Sequence, residues 1–317
     1  MKKLLKAIPL PICGVMLGFA ALGNLLQGLF ANVLGSAALG DGLRWVCGAV
    51  ALVLWVLVAL KLIVLTKAVM DTLNSDPIAA SVFATFPMTT MLLAGYAKPF
   101  LGGGAKVVWV IGVLMHVCLI VWFTLKYLLK LKLPQVFATW FIVYCGLAVA
   151  AITAPAFAAE SLGAVTFWFG FASFFVLFCI ITMRYVKVPV KEPATPLFCI
   201  YTAPMALCLA GYIQSVAPKS VNMVRFMLLV SSCLYLVVLT RLPKLLKLKF
   251  YPSFAAFTFP FVITAIAALQ SMACLKKLEA PLPWLKYVVI VETIIAAVLC
   301  VYTLIGYCKA ISKAKNA

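Results

Sequence analysis

Negative charge is nearly missing from this chain, which has 7 Asp and Glu residues in 317 against 26 Lys and Arg. Histidine occurs once, at His116. One imidazole and no paired carboxylates leave little for acid–base or metal chemistry. That argues against an enzyme and against a bound metal or other cofactor. Long polar stretches are also missing. Charged residues make up 10% of the chain, and the net charge of +19 is spread over short connecting segments, with no basic domain that would suit nucleic acid. CxxC spacing is absent among the 11 cysteines. They sit within or at the ends of apolar runs and read as small buried hydrophobes, not as bridges or ligands.

What the chain has in quantity is apolar surface. Hydrophobic residues account for 66% of it and the mean hydropathy is +1.18, a composition that no water-soluble fold of this size carries. It is therefore an integral membrane protein. Its runs lack the polar residue at every second position that a barrel lumen demands, so the fold class is all-α. Cutting at charged, Pro-rich and Gly-rich joints leaves ten runs of spanning length: 10–31, 43–65, 82–97, 106–129, 134–154, 161–183, 196–217, 222–242, 253–274 and 284–308. They read as a single transmembrane domain over 1–317. The basic start Lys2-Lys3-Leu4-Leu5-Lys6 is like that of a secretory signal. However, Pro9 and Pro11 interrupt the apolar stretch and no small-residue cleavage site follows, so a retained first helix is expected. Lysines and arginines divide 18 to 8 between the two sides, which puts both termini in the cytoplasm.

The odd runs differ from the even ones. They contain no ionisable Asp, Glu, Lys, Arg or His between their ends, and they collect proline and glycine, among them Gly14, Gly18, Pro87, Pro204 and Pro260. The wording of run three, Phe83-Ala84-Thr85-Phe86-Pro87, returns in run nine as Ala256-Phe257-Thr258-Phe259-Pro260 and more weakly in run seven as Tyr201-Thr202-Ala203-Pro204. Run five shares Val136-Phe137-Ala138-Thr139 with run three but lacks the following proline. Each proline is expected to kink its helix by removing a backbone hydrogen bond. The chain thus reads as five parallel helical hairpins related by rotation about the membrane normal. Five inner helices packed about 9 Å apart would leave a lumen only about 2 to 3 Å in radius, which one inward phenylalanine would close.

Charge assigns that lumen to anions. Excluding Glu292, which lies within run ten, the external side carries a net +5 and the cytoplasmic side +15, so both mouths attract anions. Inside there is no fixed charge. Thr85, Thr89, Thr90, Thr139, Thr202, Thr258 and Thr264 can offer hydroxyls to a passing ion, or can bond back to their own helices beside a kink. His116 and Glu292 lie well inside even runs, where a structural or subunit-contact role is expected; an intramembrane acid is also a candidate for proton coupling.

Pro9-Leu10-Pro11 with Gly14, Leu17-Gly18 and Ala20-Ala21-Leu22, then Phe86-Pro87-Met88-Thr89-Thr90-Met91, then Phe257-Thr258-Phe259-Pro260, resemble the tellurite-resistance/dicarboxylate transporter family. That family includes TehA of bacteria and the slow anion channels of plant guard cells. The resemblance spans essentially the whole chain. It implies ten helices as five hairpins in quasi-five-fold arrangement, with odd helices lining a central pore, assembled as a homotrimer with a pore in each protomer. It further implies a multi-pass protein of a bacterial inner membrane and a gate at Phe259. Phe86, in the equivalent slot of run three, competes for that role. Gly14, Gly18, Pro87, Thr89, Thr139, Thr202, Pro204, Thr258 and Pro260 are the pore-lining or kink candidates. The function expected is a channel for small anions; the alternative is a proton-coupled secondary transporter of C4-dicarboxylates or oxyanions such as malate or tellurite.

Overall fold

The computed structural model describes residues 2–316. Among these residues, ten helices are long and apolar enough to cross a membrane: α1 (Ile12–Asn32), α2 (Ala37–Val64), α3 (Pro77–Leu101), α4 (Gly104–Leu128), α5 (Trp140–Phe157), α6 (Glu160–Lys187), α7 (Glu192–Ser215), α8 (Val221–Leu245), α9 (Pro252–Lys277) and α10 (Leu285–Lys315). The ten expected runs are all present. Their ends move where a helix continues past the apolar stretch into charged sequence, as α10 does through Lys309 and Lys313, cations that suit a helix C-terminus.

Odd and even helices separate by burial. In the most apolar stretch of each span, 72–89% of the residues are buried in the odd helices and only 22–39% in the even ones. The odd helices pack in cyclic order: α1 on α3, α3 on α5, α5 on α7, α7 on α9, and α9 back on α1. The even helices turn large apolar side chains such as Val46, Ile63, Val165, Val186 and Leu229 outward, as lipid-facing helices do.

The prolines act differently from the expected kink. In α3, α7 and α9 the regular helix starts afresh after a break, with Pro87, Pro204 and Pro260 in its first turn, and α1 starts directly after Pro11. Pro204 and Pro260 are the second residues of the regular helices Ala203–Ser215 and Phe259–Lys277, and Pro11 directly precedes Ile12. In a first turn the N–H has no acceptor within the helix, so proline there loses no bond and its fixed φ favours the start. Before the break the chain forms short helices or 3₁₀ turns: Lys2–Ala7, Pro77–Val82, Glu192–Thr202 and Pro252–Phe257.

The threonine two residues before the proline completes this device. A threonine preceding a helix ordinarily accepts from an N–H of its first turn, but proline removes one of those donors. Here the hydroxyl turns back and donates to a carbonyl three residues earlier: Thr85 to Val82 at 2.7 Å, Thr202 to Cys199 at 3.1 Å and Thr258 to Ala255 at 2.7 Å. The hydroxyl donors are thereby satisfied inside the protein, which the membrane interior requires.

Helix α5 breaks without a proline. Its helical pieces Trp140–Tyr144 and Ala148–Thr153 are joined by a 3₁₀ turn at Cys145–Leu147. The missing donor comes from outside, because His116 on α4 is fully buried and its Nε2 lies 2.9 Å from the carbonyl oxygen of Val143. A carbonyl only accepts, so Nε2 carries the proton. The lone histidine is thus structural. His116→Ala should lower stability by about 1–3 kcal/mol, the cost of an orphaned buried acceptor, and His116→Gln should recover part of it. Thermal unfolding of the detergent-solubilised protein checks this; equal melting temperatures for wild type and alanine variant would refute it.

Candidate functional site

Two cavities lie among the odd helices. The larger, about 660 Å³, lies toward the end of the bundle that carries the termini. All five odd helices or their leading turns line it, through Pro11 and Gly14, Thr85 and Met88, Phe141 and Ile142, Pro204 and Leu207, and Phe259 and Pro260. The smaller, about 260 Å³, lies toward the opposite end and is lined by Ala21, Asn24, Leu92, Val149, Ile152, Ile263, Ile266 and Gln270 among others. One residue belongs to both linings: Phe259.

Local sequence explains how that ring is held. Phe259 is the first residue of the regular part of α9 and follows the break at Thr258. Besides its bond to Ala255, the Thr258 hydroxyl donates to the Gly14 carbonyl of α1 at 2.9 Å. Gly18, one turn further along α1, leaves room for the same break: a Cβ there would stand 2.6 Å from Thr258 Cβ and 3.1 Å from the Phe259 backbone nitrogen. Two glycines of α1 and one threonine of α9 therefore bring the two backbones together beside Phe259.

Phe86 is placed otherwise. Its ring stacks on Trp55 of α2, with centroids 5.4 Å apart, and on Phe83 at 5.6 Å, and it lines neither cavity. Of the remaining sequence candidates, Gly14, Pro204 and Pro260 lie on the larger cavity, while Gly18, Pro87, Thr89, Thr139, Thr202 and Thr258 lie behind the linings. The threonine hydroxyls are engaged. Thr89 donates to Thr85 at 2.8 Å, Thr90 to Phe86 at 3.1 Å and Thr264 to Phe261 at 2.8 Å, while Thr139 accepts from Ser81 at 2.7 Å. Only Thr85 among the seven reaches a cavity lining.

Two arginines acquire a meaning that their place in the sequence hides. Arg184, near the end of α6, is 2% exposed and lines the larger cavity. Arg44, near the start of α2, bonds through Nε to Asn24 Oδ1 at 3.1 Å, and Asn24 lines the smaller cavity. Its guanidinium lies 4.6 Å from the ring centroid of Tyr96, whose hydroxyl donates to the Ala20 carbonyl at 2.8 Å. Each cavity thus has one partly or fully buried arginine at or directly behind its wall, and the stretch between them is apolar. The only carboxylate on either lining is Asp76, which caps the helix start at Ile78 with a 2.8 Å bond. Phe259, which the two linings share, is uncharged.

Glu292 lines neither cavity. It is 6% exposed, so it is not a surface residue awaiting a subunit contact, and its Oε2 has no hydrogen-bond partner. No group of three or more His, Cys, Asp and Glu residues that could hold a metal is found among the described residues.

Comparison with curated proteins found no match. Comparison with protein families found one that covers nearly the whole chain: the SLAC1 family, described as voltage-dependent anion channel, matches residues 8–308. Because that match covers nearly all of a chain with ten membrane-spanning helices, the chain belongs to the SLAC1 family and is a multi-pass membrane protein of the anion channel and transporter class.

Proposed function

We propose that the protein is a passive channel for small anions whose pore runs along the axis of a quasi-five-fold ring of hairpins and is closed by Phe259. The observation that carries this reading is that Phe259 alone belongs to the linings of both cavities. The apolar character of the walls between the two arginines supports weak binding and fast exit, which conduction needs. The 18 to 8 division of basic residues supports a topology with both termini in the cytoplasm, and hence the larger cavity as the cytoplasmic vestibule, while a bacterial inner membrane rests on the resemblance. A homotrimer with one pore per protomer rests on the resemblance.

The alternative, a proton-coupled carrier of dicarboxylates or oxyanions, requires a titratable group on the path; Glu292 is off both linings, and the carboxylate that is on one, Asp76, is exposed at the mouth and accepts the Ile78 N–H. In proteoliposomes, anion flux is expected to follow the anion gradient and membrane potential alone, and Glu292→Gln is expected to leave that flux dependence unchanged. Uptake driven by a pH gradient and lost in Glu292→Gln would overturn the channel reading.

A further inference from the structure

The turn that leads into Phe259 is held by an outer helix. Residues Pro252–Phe257 form a 3₁₀ helix, whose hydrogen-bond geometry is poorer than that of an α-helix, so its position depends on what packs against it. One side of this turn, with Pro252, Ser253, Ala255 and Ala256, lines the larger cavity. The other side, with Phe254 and Phe257, is buried away from both linings. Helix α10 takes hold there. Thr303 and Tyr307, one helical turn apart and so on one face, donate to two carbonyls of the turn: Thr303 to Phe254 at 3.5 Å and Tyr307 to Pro252. Both donors are fully buried. Gly306 makes room beside them for the Phe250 ring, because a Cβ at Gly306 would stand 2.5 Å from two of its carbons. Phe250 packs edge-on to Tyr307, with centroids 5.2 Å apart, and to Phe254 at 5.3 Å, and Phe254 leans on Phe257 at 4.8 Å. A row of touching rings thus runs from Tyr307 to the residue two places before Phe259. A buried phenol needs an acceptor, and this one takes the first carbonyl of the turn that precedes the break.

We propose that Tyr307 is a positioning residue of the pore: by pinning the Pro252 carbonyl it holds the leading turn of α9, and through that turn the ring of Phe259, in the closing position. This rests on reading Phe259 as the closing residue. Tyr307 lines neither cavity, so it touches no passing ion and acts through α9.

The test is basal anion current of the full chain in planar bilayers, read beside the melting temperature of the same preparation. Tyr307→Phe keeps the ring packing and removes only the hydroxyl. Current should rise by about fivefold, within what the loss of one hydrogen bond allows. Tyr127→Phe is the control, because that hydroxyl also donates to a backbone carbonyl, of Leu73 at 2.6 Å, at a place on neither lining. Both variants should melt somewhat lower, but only Tyr307→Phe should pass more current. A merely structural tyrosine would not separate them. In Phe259→Ala the closing ring is gone, so adding Tyr307→Phe should change current by less than about twofold. Thr303→Val deletes the longer bond and should raise current less than Tyr307→Phe does. Wild-type current in Tyr307→Phe or, should that variant not fold, in Thr303→Val would overturn the proposal. So would an equal rise in Tyr127→Phe, or an undiminished rise in the Phe259→Ala background. A silent Phe259→Ala sinks the gate reading itself, whereas a silent Tyr307→Phe beside an active Phe259→Ala removes Tyr307 alone.

Discussion

Phe259→Ala is expected to raise anion current by about an order of magnitude or more in planar bilayers, since removing a steric barrier of even about 1.4 kcal/mol multiplies a rate tenfold. The reason is positional. Phe259 is the side chain shared by the two cavities, so deleting its ring joins them, and no other residue on either lining has that property. Phe86→Ala is the matched control. It removes the same ring from the equivalent slot of α3, but that ring stacks on Trp55 and Phe83, away from both linings, so stability should fall with little gain in current. Equal currents from both variants, or none from Phe259→Ala in folded protein, would remove Phe259 from the role.

The second large effect is expected at Gly18. An added Cβ meets Thr258 Cβ at 2.6 Å, Thr258 Oγ1 at 2.8 Å and the Phe259 backbone nitrogen at 3.1 Å. The last of these is backbone, which cannot rotate aside as a long side chain would. Gly18→Ala should therefore cost about 1–3 kcal/mol by overpacking. It should also push the start of the regular α9 helix away from α1, moving Phe259 with it, so the folded fraction should leak anions. Gly18→Val should fold poorly. Melting temperature and basal current measured on the same preparation decide the matter; an alanine variant with wild-type stability and a tight pore would show that the α1–α9 contact does not hold the ring in place.

The two variants separate closing from holding. Phe259→Ala removes the proposed obstruction and leaves its support, whereas Gly18→Ala leaves the ring and disturbs what positions it. Stability should thus fall more in the second than current rises, and the reverse should hold in the first.

Several features were legible before any tertiary contact was known. The ten helices, the split into buried odd and exposed even members, and the repeated Thr-x-Pro wording follow from hydropathy and from local backbone chemistry, which depend on neighbours in sequence. The wording was read as a kink within a helix, whereas it marks the start of one; both readings follow from the missing N–H of proline, and only the backbone path distinguishes them. The break in α5 had no proline to announce it, because its donor, His116, comes from a different helix. The hydroxyls of Thr89, Thr202 and Thr258 are available to an ion by composition, but each donates to a carbonyl three or four residues back, which depends on the local backbone path.

By itself the sequence determined a polytopic protein of ten helices, because composition and periodicity act through the solvent each segment prefers. Tertiary structure alone decided which side chains face the axis. Phe259 and Phe86 stand in the same local wording, yet one lies between two cavities and the other stacks against α2. Arg184 and Arg44 counted in the sequence only as charges on one side or the other; the packing of α6 and α2 against the inner helices puts Arg184 on the larger cavity and Arg44 on Asn24 of the smaller one. Rotation of a helix about its own axis costs almost nothing to an isolated apolar segment, and only its neighbours in the bundle settle it.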